Sequence, residues 1–557
     1  MFKKPNQRST IAIFLLLLLT ATLILSSASL SLADAEPAGV TAVSAADTAT
    51  DTTQLLTDTE PGIYLVRFAE APLARYRGGE GNLAPTNPQA RGTNRLDPND
   101  AASRAYRQFL ANSRTEHVSN MGQRIGRPLN PIYEYEAGNH GVALLLSPEE
   151  AVEIANLPGV ISVQRDVERV LMTDNGPGWI NAPDIWNGTA TGGLPGNQGE
   201  GIIVGIIDTG INPLNPSFAD IGGDGYDHTN PFGSGNYVGV CDPGNPTFDP
   251  SFACNDKLIG AWGFPTVNGG DPTDYDGHGS HTASTAAGNV VLGATVNAPT
   301  FSFNRDISGV APHANIIAYS GCCTVSALTA AIDQAILDGV NVINYSIGSE
   351  AASNLWSDFD TVGFLNARAA GIFVATSAGN SGPGAGTVGS PADAPWLTSV
   401  GASTHDRLLL NVLGSMSGGA TTPPADIAGK SITSGYGPAP IVYAGDFGDP
   451  LCGLGAFSPG TFSGQIVVCD RGVHARVDKG QSVLDGGAGG FILANDAPNG
   501  TSLNADAHVL PAVHITYADG VALKAWLDSG AGHTGTIAGT VMDINNSNAD
   551  IMAGFSS

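Results

Sequence analysis

The chain has 557 residues, with 24 Lys or Arg against 51 Asp or Glu, so its net charge is 24 − 51 = −27. That negative balance disfavours nucleic acid and anionic membrane surfaces as partners, because either would be approached against like charge. Only 13% of the residues are charged; with abundant Gly, Ala and Val this is a composition suited to buried α/β sheets, and the length leaves room for several cores.

Lys3, Lys4 and Arg8 precede an apolar run from Ile11 to Leu19 that weakens toward Leu25, and the small residues Ser31 and Ala33 suit a peptidase cut before Asp34 or at Ala35. The run is shorter than the ~20 apolar residues a bilayer span needs, so residues 1–33 read as a signal peptide rather than an anchor. No later segment is apolar enough to span, and the mature chain is expected to be secreted and extracellular. Residues 34–60 are rich in Ala, Thr and Asp without apolar periodicity, which predicts a disordered lead-in.

Ile63 to Phe68 alternates as a strand. Ala101 to Met121 has helical spacing through Ala105, Phe109, Leu110 and Val118, Gly141 to Leu146 is a strand, and Ser147-Pro148-Glu149-Glu150 opens a helix with a Ser cap, Pro in the first turn and acids near the positive end of the dipole. Val160 to Val163 is the next strand, completing a small α+β unit. From Gly201 short apolar runs alternate with helices. Ser326 is read as the cap of a helix that Gly339 ends, Val340 to Ile347 as a buried strand, Val362 to Ala370 as a helix that Gly371 breaks, and Ile372 to Ala375 as a strand. Such βαβ repetition predicts a parallel sheet with helices on both faces and a site at the strands' carboxyl ends.

Asp208 ends the apolar run Ile202 to Ile207 and is followed by Thr209-Gly210, while His278 lies in Asp276-Gly277-His278-Gly279-Ser280-His281-Thr282. An acid at a strand end and a later histidine opening a small-residue helix are two parts of a hydrolytic triad in the order Asp, His, Ser. Asp208-Thr209-Gly210 also resembles the aspartic protease signature, but that chemistry needs two carboxylates sharing a proton and no second Asp-Thr-Gly occurs. His278 and His281 stand at helical spacing, yet no HExxH glutamate or third ligand accompanies them, so no metal is assigned and His281 reads as a packed structural histidine. Asn380, in Ser377-Ala378-Gly379-Asn380-Ser381-Gly382, follows a sheet strand and is read as an oxyanion donor in preference to a plain turn residue.

Six cysteines in an exported chain are disulfide candidates. Cys241 with Cys254, and Cys452 with Cys469, are close in sequence and expected as bridges. Cys322 and Cys323 are adjacent, and either two free thiols or a vicinal bond fits them. Asn187, Asn499 and Asn545 open N-x-S/T sequons, and Asn344 matches within an expected buried strand.

The strings around Asp208, His278 and Asn380 resemble the subtilisin-like serine proteases, peptidase family S8, along nearly all of the chain after residue 60. Leu-Leu-Leu-Ser-Pro-Glu-Glu and Leu-Pro-Gly-Val-Ile-Ser-Val, within Gly141 to Val163, resemble the family's I9-type inhibitory propeptide. Cys254 to Gly260 and Cys469 to Gly472 resemble the branch shared by plant subtilases and some bacterial ones, in which a protease-associated (PA) domain is inserted. Gly464 to Cys469 and Gly487 to Asn495 match that domain. The resemblance implies a propeptide over 61–172, a catalytic domain over 173–433, a PA insertion over 434–529 that is β-rich, and a return to the catalytic domain over 530–557. It implies Asp208 and His278 as acid and base, Asn380 as the oxyanion amide, Ser346-Ile347-Gly348 as the substrate-pairing edge, Gly379 in the P1 pocket, and autocatalytic cutting around Leu171 to Asp174. Polypeptide substrates and the chain's own propeptide as intramolecular inhibitor are the implied partners. No cofactor is expected; the family admits calcium, for which no ligands are assigned. The family's Gly-Thr-Ser-Met-Ala nucleophile string occurs nowhere in the sequence, and Ser556 and Ser557 do not replace it. The chain is therefore expected to be incomplete at its C-terminus, the other possibility being a short form that only binds polypeptides.

Overall fold

The computed structural model describes residues 61–165, 170–171 and 176–557. The signal peptide and lead-in expected over 1–60 lie outside the described residues, as do Met172 to Asp174 of the expected processing junction.

The N-terminal unit is a four-stranded antiparallel sheet in the order Tyr133–Tyr135, Gly141–Leu146, Gly62–Phe68, Val160–Arg165. Strand alternation divides its side chains: Tyr64, Val66, Phe68, Val142, Leu144 and Leu146 pack against Met121, Ala151 and Ile154 of the two helices Ala101–Ile125 and Pro148–Ala155. Ser147 caps the second helix by accepting from Glu150 N, and the Glu150 side chain returns the bond to Ser147 N, a full capping box. In the first helix the buried positions are Ser103, Tyr106, Leu110, Arg114 and Met121; of the expected stripe Leu110 is buried, Phe109 and Val118 are partly buried against the cores, and Ala105 is exposed. The reason is tertiary: Arg114 is drawn inward by Glu134 at 2.7 Å and the Tyr106 hydroxyl by Ala71 O at 2.6 Å.

The central sheet has seven strands in the order Thr398–Val400, Phe373–Ser377, Val342–Tyr345, Ile203–Asp208, Asn315–Ser320, Leu258–Gly263, Val238–Gly239, and every pairing is parallel. Ile203 and Ile207 face the helices Val325–Asp338 and Phe359–Ala369, whereas Val204 and Ile206 face Ala283 and Ala287 of the helix His278–Ala287. This is the doubly covered parallel sheet expected from the sequence. Two local readings change. Ser326 is the second residue of its helix, whose N-cap position is Thr324 without a side-chain cap bond, and the Ser326 carbonyl accepts from the Tyr135 hydroxyl at 3.2 Å. The expected Val340–Ile347 strand divides at Ser346: Val342–Tyr345 stays in the sheet while Ile347–Gly348 leaves it and pairs antiparallel with Val170–Leu171.

A second sheet of eight strands lies apart from the first, in the order Ile427–Lys430, Ala512–Ile515, Gly490–Ala494, Ile466–Asp470, Tyr436–Tyr443, Thr534–Ile537, Arg407–Ser417, Val541–Ile544. Ile427–Lys430 also pairs with Arg407–Ser417, so the sheet closes on itself. Ile466, Val468 and Ile492 pack in one core on one face, while Val467, Cys469 and Leu493 pack in another core on the opposite face with Cys452 and Val483. Its strands run past both ends of the 434–529 block, since the ring closes only through Arg407–Ser417. Cys241–Cys254 and Cys452–Cys469 are bonded, and Cys322 is bonded to Cys323.

Candidate active site

Asp208 is the last residue of a central strand, and its even position puts it on the face of Val204 and Ile206, toward the helix that begins at His278. Its side chain is fully buried and its Oδ1 lies 2.7 Å from His278 Nδ1. Thr209 N donates to the same oxygen at 2.8 Å, and Thr282 Oγ1 donates to Oδ2 at 3.2 Å. The Asp208 carbonyl in turn accepts from Gly321 N and Cys322 N at 3.0 and 3.1 Å, tying the strand end to its neighbour.

The approach of helix to strand needs a glycine. A Cβ on Gly279 would stand 2.2 Å from Gly210 O, so a side chain there would force the helix away from Asp208. Asp274 then locks the joint: its Oδ1 accepts from Thr209 Oγ1 at 2.9 Å and Gly277 N at 2.8 Å, and its Oδ2 from Ser280 N and Oγ at 2.8 and 2.7 Å. Burial works to raise its carboxyl, but the N–H bonds from Gly277 and Ser280 dominate and hold it below the usual carboxylate range. Asp274 was missed in the sequence reading; an acid four residues before a helix start is the signal that marks it, since the first helical N–H groups need an acceptor.

Asn380 emerges, exposed, after the strand Phe373–Ser377. Only Val342–Tyr345 lies between that strand and Ile203–Asp208 in the parallel sheet, so Asn380 leaves by the same carboxyl edge as Asp208, about 10 Å along it. Gly379 has φ +117°, and its carbonyl accepts from Ser557 N at 3.1 Å, while Ser381 N donates to Ser557 Oγ at 3.0 Å. The segment ending at Ser557 thus packs beside Asn380. Ser346, Ile347 and Gly348 follow the intervening strand at this edge; Ser346 Oγ accepts from Asn344 Nδ2 at 3.1 Å, Ile347 is buried, and a Cβ on Gly348 would stand 3.3 Å from Ser390 O. The pairings Ile347↔Leu171 and Gly348↔Val170 lay the chain that follows the N-terminal unit along this edge. His281 is half-buried one turn into its helix. Among the described residues no group of three or more His, Cys, Asp or Glu is arranged to hold a metal ion, and no helix is long and apolar enough to cross a membrane.

Asp333, another residue the sequence reading missed, ties the helix Val325–Asp338 to the N-terminal unit. Its Oδ1 accepts from Ala137 N at 2.7 Å and Gly138 N at 2.6 Å, and its Oδ2 from Glu136 N at 3.0 Å. Complete burial pushes this carboxyl up to about 6, with those N–H bonds opposing.

The sequence matches the model of the subtilase family, Peptidase S8, over residues 199–552 and that of peptidase inhibitor I9 over residues 64–172. Subtilisin-like protease SBT1.4 of Arabidopsis thaliana is 37% identical over 435 residues, which cover 74% of this chain and 53% of that protein. SBT5.4 of the same plant is 35% identical over 492 residues, covering 82% and 59%. The chain spans just over half the length of these curated relatives. Among solved structures, fervidolysin of Fervidobacterium pennivorans overlays with a TM-score of 0.34 at 15% identity, covering 63% of this chain and 44% of that one.

Proposed function

We propose, from the premise that this chain belongs to the subtilase family, that it carries the acid, the base and the oxyanion amide of a secreted serine endopeptidase. The observation that carries the reading is the 2.7 Å contact of His278 Nδ1 with buried Asp208 at the carboxyl edge of a parallel sheet. A proton held on Nδ1 by Asp208 puts the basic lone pair on Nε2. That nitrogen would take the proton of a serine hydroxyl as the oxygen attacks a peptide carbonyl, and then give it to the leaving amine. Asp208 would hold the tautomer and stabilise the imidazolium. Asn380 would donate to the developing oxyanion, a role whose loss costs about 10²–10³ in rate in subtilisin itself.

The Ile347–Gly348 edge would receive an extended polypeptide as an added strand. The pairing of Val170–Leu171 there supports this, and supports residues 61–172 as an inhibitor that occupies the substrate's place. The closed second sheet would be the inserted PA domain, governing substrate access. Three disulfides fit export through an oxidising compartment, with residues 1–33 as signal peptide. Since the Gly-Thr-Ser-Met-Ala string is absent from the 557 residues, the nucleophile of this reading lies outside them, and these residues alone would be inactive.

Residues 1–557 exported from a host lacking other proteases should therefore give one species starting near Asp34 by intact mass, leave casein intact and take up no fluorophosphonate. A product beginning near residue 174, with caseinolysis that a fluorophosphonate abolishes, would overturn the placing of the nucleophile. In a longer chain that carries the serine, Asp208→Asn or His278→Ala should each lower kcat about 10⁴-fold or more; undiminished turnover would remove the acid and base assignments.

A further inference from the structure

We infer that Thr282 is a positioning residue for the Asp208–His278 pair: its hydroxyl holds the second oxygen of the Asp208 carboxylate and limits how tightly Asp208 grips the protonated imidazole. The inference rests on Asp208 and His278 being the acid and base.

His278 and Thr282 are four residues apart on the helix His278–Ala287, so their side chains project from one face a turn apart. That face meets the strand end, and the helix takes the carboxylate by both oxygens, His278 Nδ1 on Oδ1 at 2.7 Å and Thr282 Oγ1 on Oδ2 at 3.2 Å. Asp208 is 0% exposed and Thr282 2%. Water therefore does not readily replace the hydroxyl, and a carboxylate oxygen stripped of its donor keeps its charge uncompensated.

A competing role for the hydroxyl is visible. Thr282 Oγ1 is also 3.1 Å from Gly279 O, the back-bond that threonine commonly makes within a helix. One proton serves two acceptors, and a bond to an ionised carboxylate is roughly twice as strong as one to a neutral carbonyl. The proton is therefore directed to Asp208 while that group carries charge. The carboxylates just before His278 are placed otherwise: Asp274 is occupied by Thr209, Gly277 and Ser280, and Asp276 is exposed. Both are common to all the variants below, so a difference between variants reports the Oδ2 bond.

The measurement needs no nucleophile: the titration midpoint of the His278 ring by NMR in residues 1–557. Asp208→Asn should lower that midpoint. Thr282→Val, which keeps shape and removes the donor, should raise it by about half to one pH unit, because the carboxylate then shares its charge with one donor fewer. Thr282→Ser, which keeps the hydroxyl, should restore the original midpoint, and the helix-favouring Thr282→Ala should repeat the upward move should valine disturb the packing. If Asp208→Asn leaves the midpoint where it was, the acid–base reading itself fails. If Asp208→Asn lowers it while Thr282→Val and Thr282→Ala leave it unmoved or lower it, Thr282 is only a back-bonded helix residue and this inference is overturned.

Discussion

The N-terminal sheet and the central parallel sheet close their cores differently. In the central sheet both faces of the strand Ile203–Asp208 are filled by helices that the same unit supplies, Ile203 and Ile207 on one side and Val204 and Ile206 on the other. In the N-terminal sheet the unit's own helices close one face, with Tyr64, Val66 and Phe68. Its other face, with Leu65, Tyr133, Tyr135 and Ala143, is completed by Ile332, Ile336 and Phe359 of the central unit's helices. The first unit thus borrows half its core, and its order depends on a contact that the second does not need. One helix serves both sides of that contact through two carboxylates. Asp333 faces backbone N–H groups of the N-terminal unit, while Asp338 faces Trp262 Nε1, the Tyr319 hydroxyl and Gln334 Nε2 at 2.8, 2.8 and 2.7 Å within the central unit.

The largest expected effect comes from breaking the shared side. Asp333→Ala leaves the N–H groups of Glu136, Ala137 and Gly138 buried without their acceptor, which should weaken the junction by about 3–5 kcal/mol. Amide hydrogen exchange is expected to accelerate at residues 136–138 and across the sheet of residues 62–165, with the central strands unaffected. Equal acceleration in Ile203–Asp208 would show that the two units do not differ as described.

A smaller effect separates the two carboxylates by pH. Burial pushes both Asp333 and Asp338 up to about 6 from the 3.8 of an unperturbed aspartate, with hydrogen bonds opposing. Between those values the folded chain holds protons that the unfolded chain has released. The stability each contributes is therefore fully present below about 3.8 and is lost as pH rises through about 6, a change on the order of 2–3 kcal/mol per group. Asp338→Asn should flatten this slope in denaturant unfolding measured from pH 4 to 7, because Gln334 can turn its amide to accept from the new donor while Trp262 and Tyr319 keep their acceptor. An unchanged slope would show that Asp338 does not titrate in that window.

The smallest expected effect lies wholly inside the borrowing unit. Ser147→Ala removes half of the capping box and should lower stability by about 1 kcal/mol, read in residues 1–557 as faster amide hydrogen exchange confined to the helix Pro148–Ala155. Loss of the whole unit's protection would mean that the cap, not the contact with the central helices, sustains it.

What was legible follows from how local each cause is. The strand Gly141–Leu146 and the Ser147-Pro148 helix start were readable because alternation and capping act within a few residues. Asp208 and His278 were readable because the strand end, Gly277 and Gly279 constrain their neighbours. Asp333, Asp338 and Thr282 were not, since a single polar residue on an amphipathic helix looks the same whether it meets water or a buried donor. The inward turn of Arg114 and the break at Ser346 were hidden for the same reason: Glu134 lies 20 residues away in sequence and the Val170–Leu171 partner of Ile347–Gly348 more than 170.

By itself the sequence determined the α/β class, the order acid then base, the candidate bridges Cys241–Cys254 and Cys452–Cys469, and the family resemblance, because each rests on periodicity or on short strings whose chemistry needs those residues side by side. Only the tertiary structure decided that the second sheet closes through Arg407–Ser417, that the N-terminal unit completes its core on another unit's helices, and which donors meet each buried carboxylate. Burial makes that last choice matter: an acid that water would solvate at little cost must, inside, find its hydrogen bonds among residues far away in the chain.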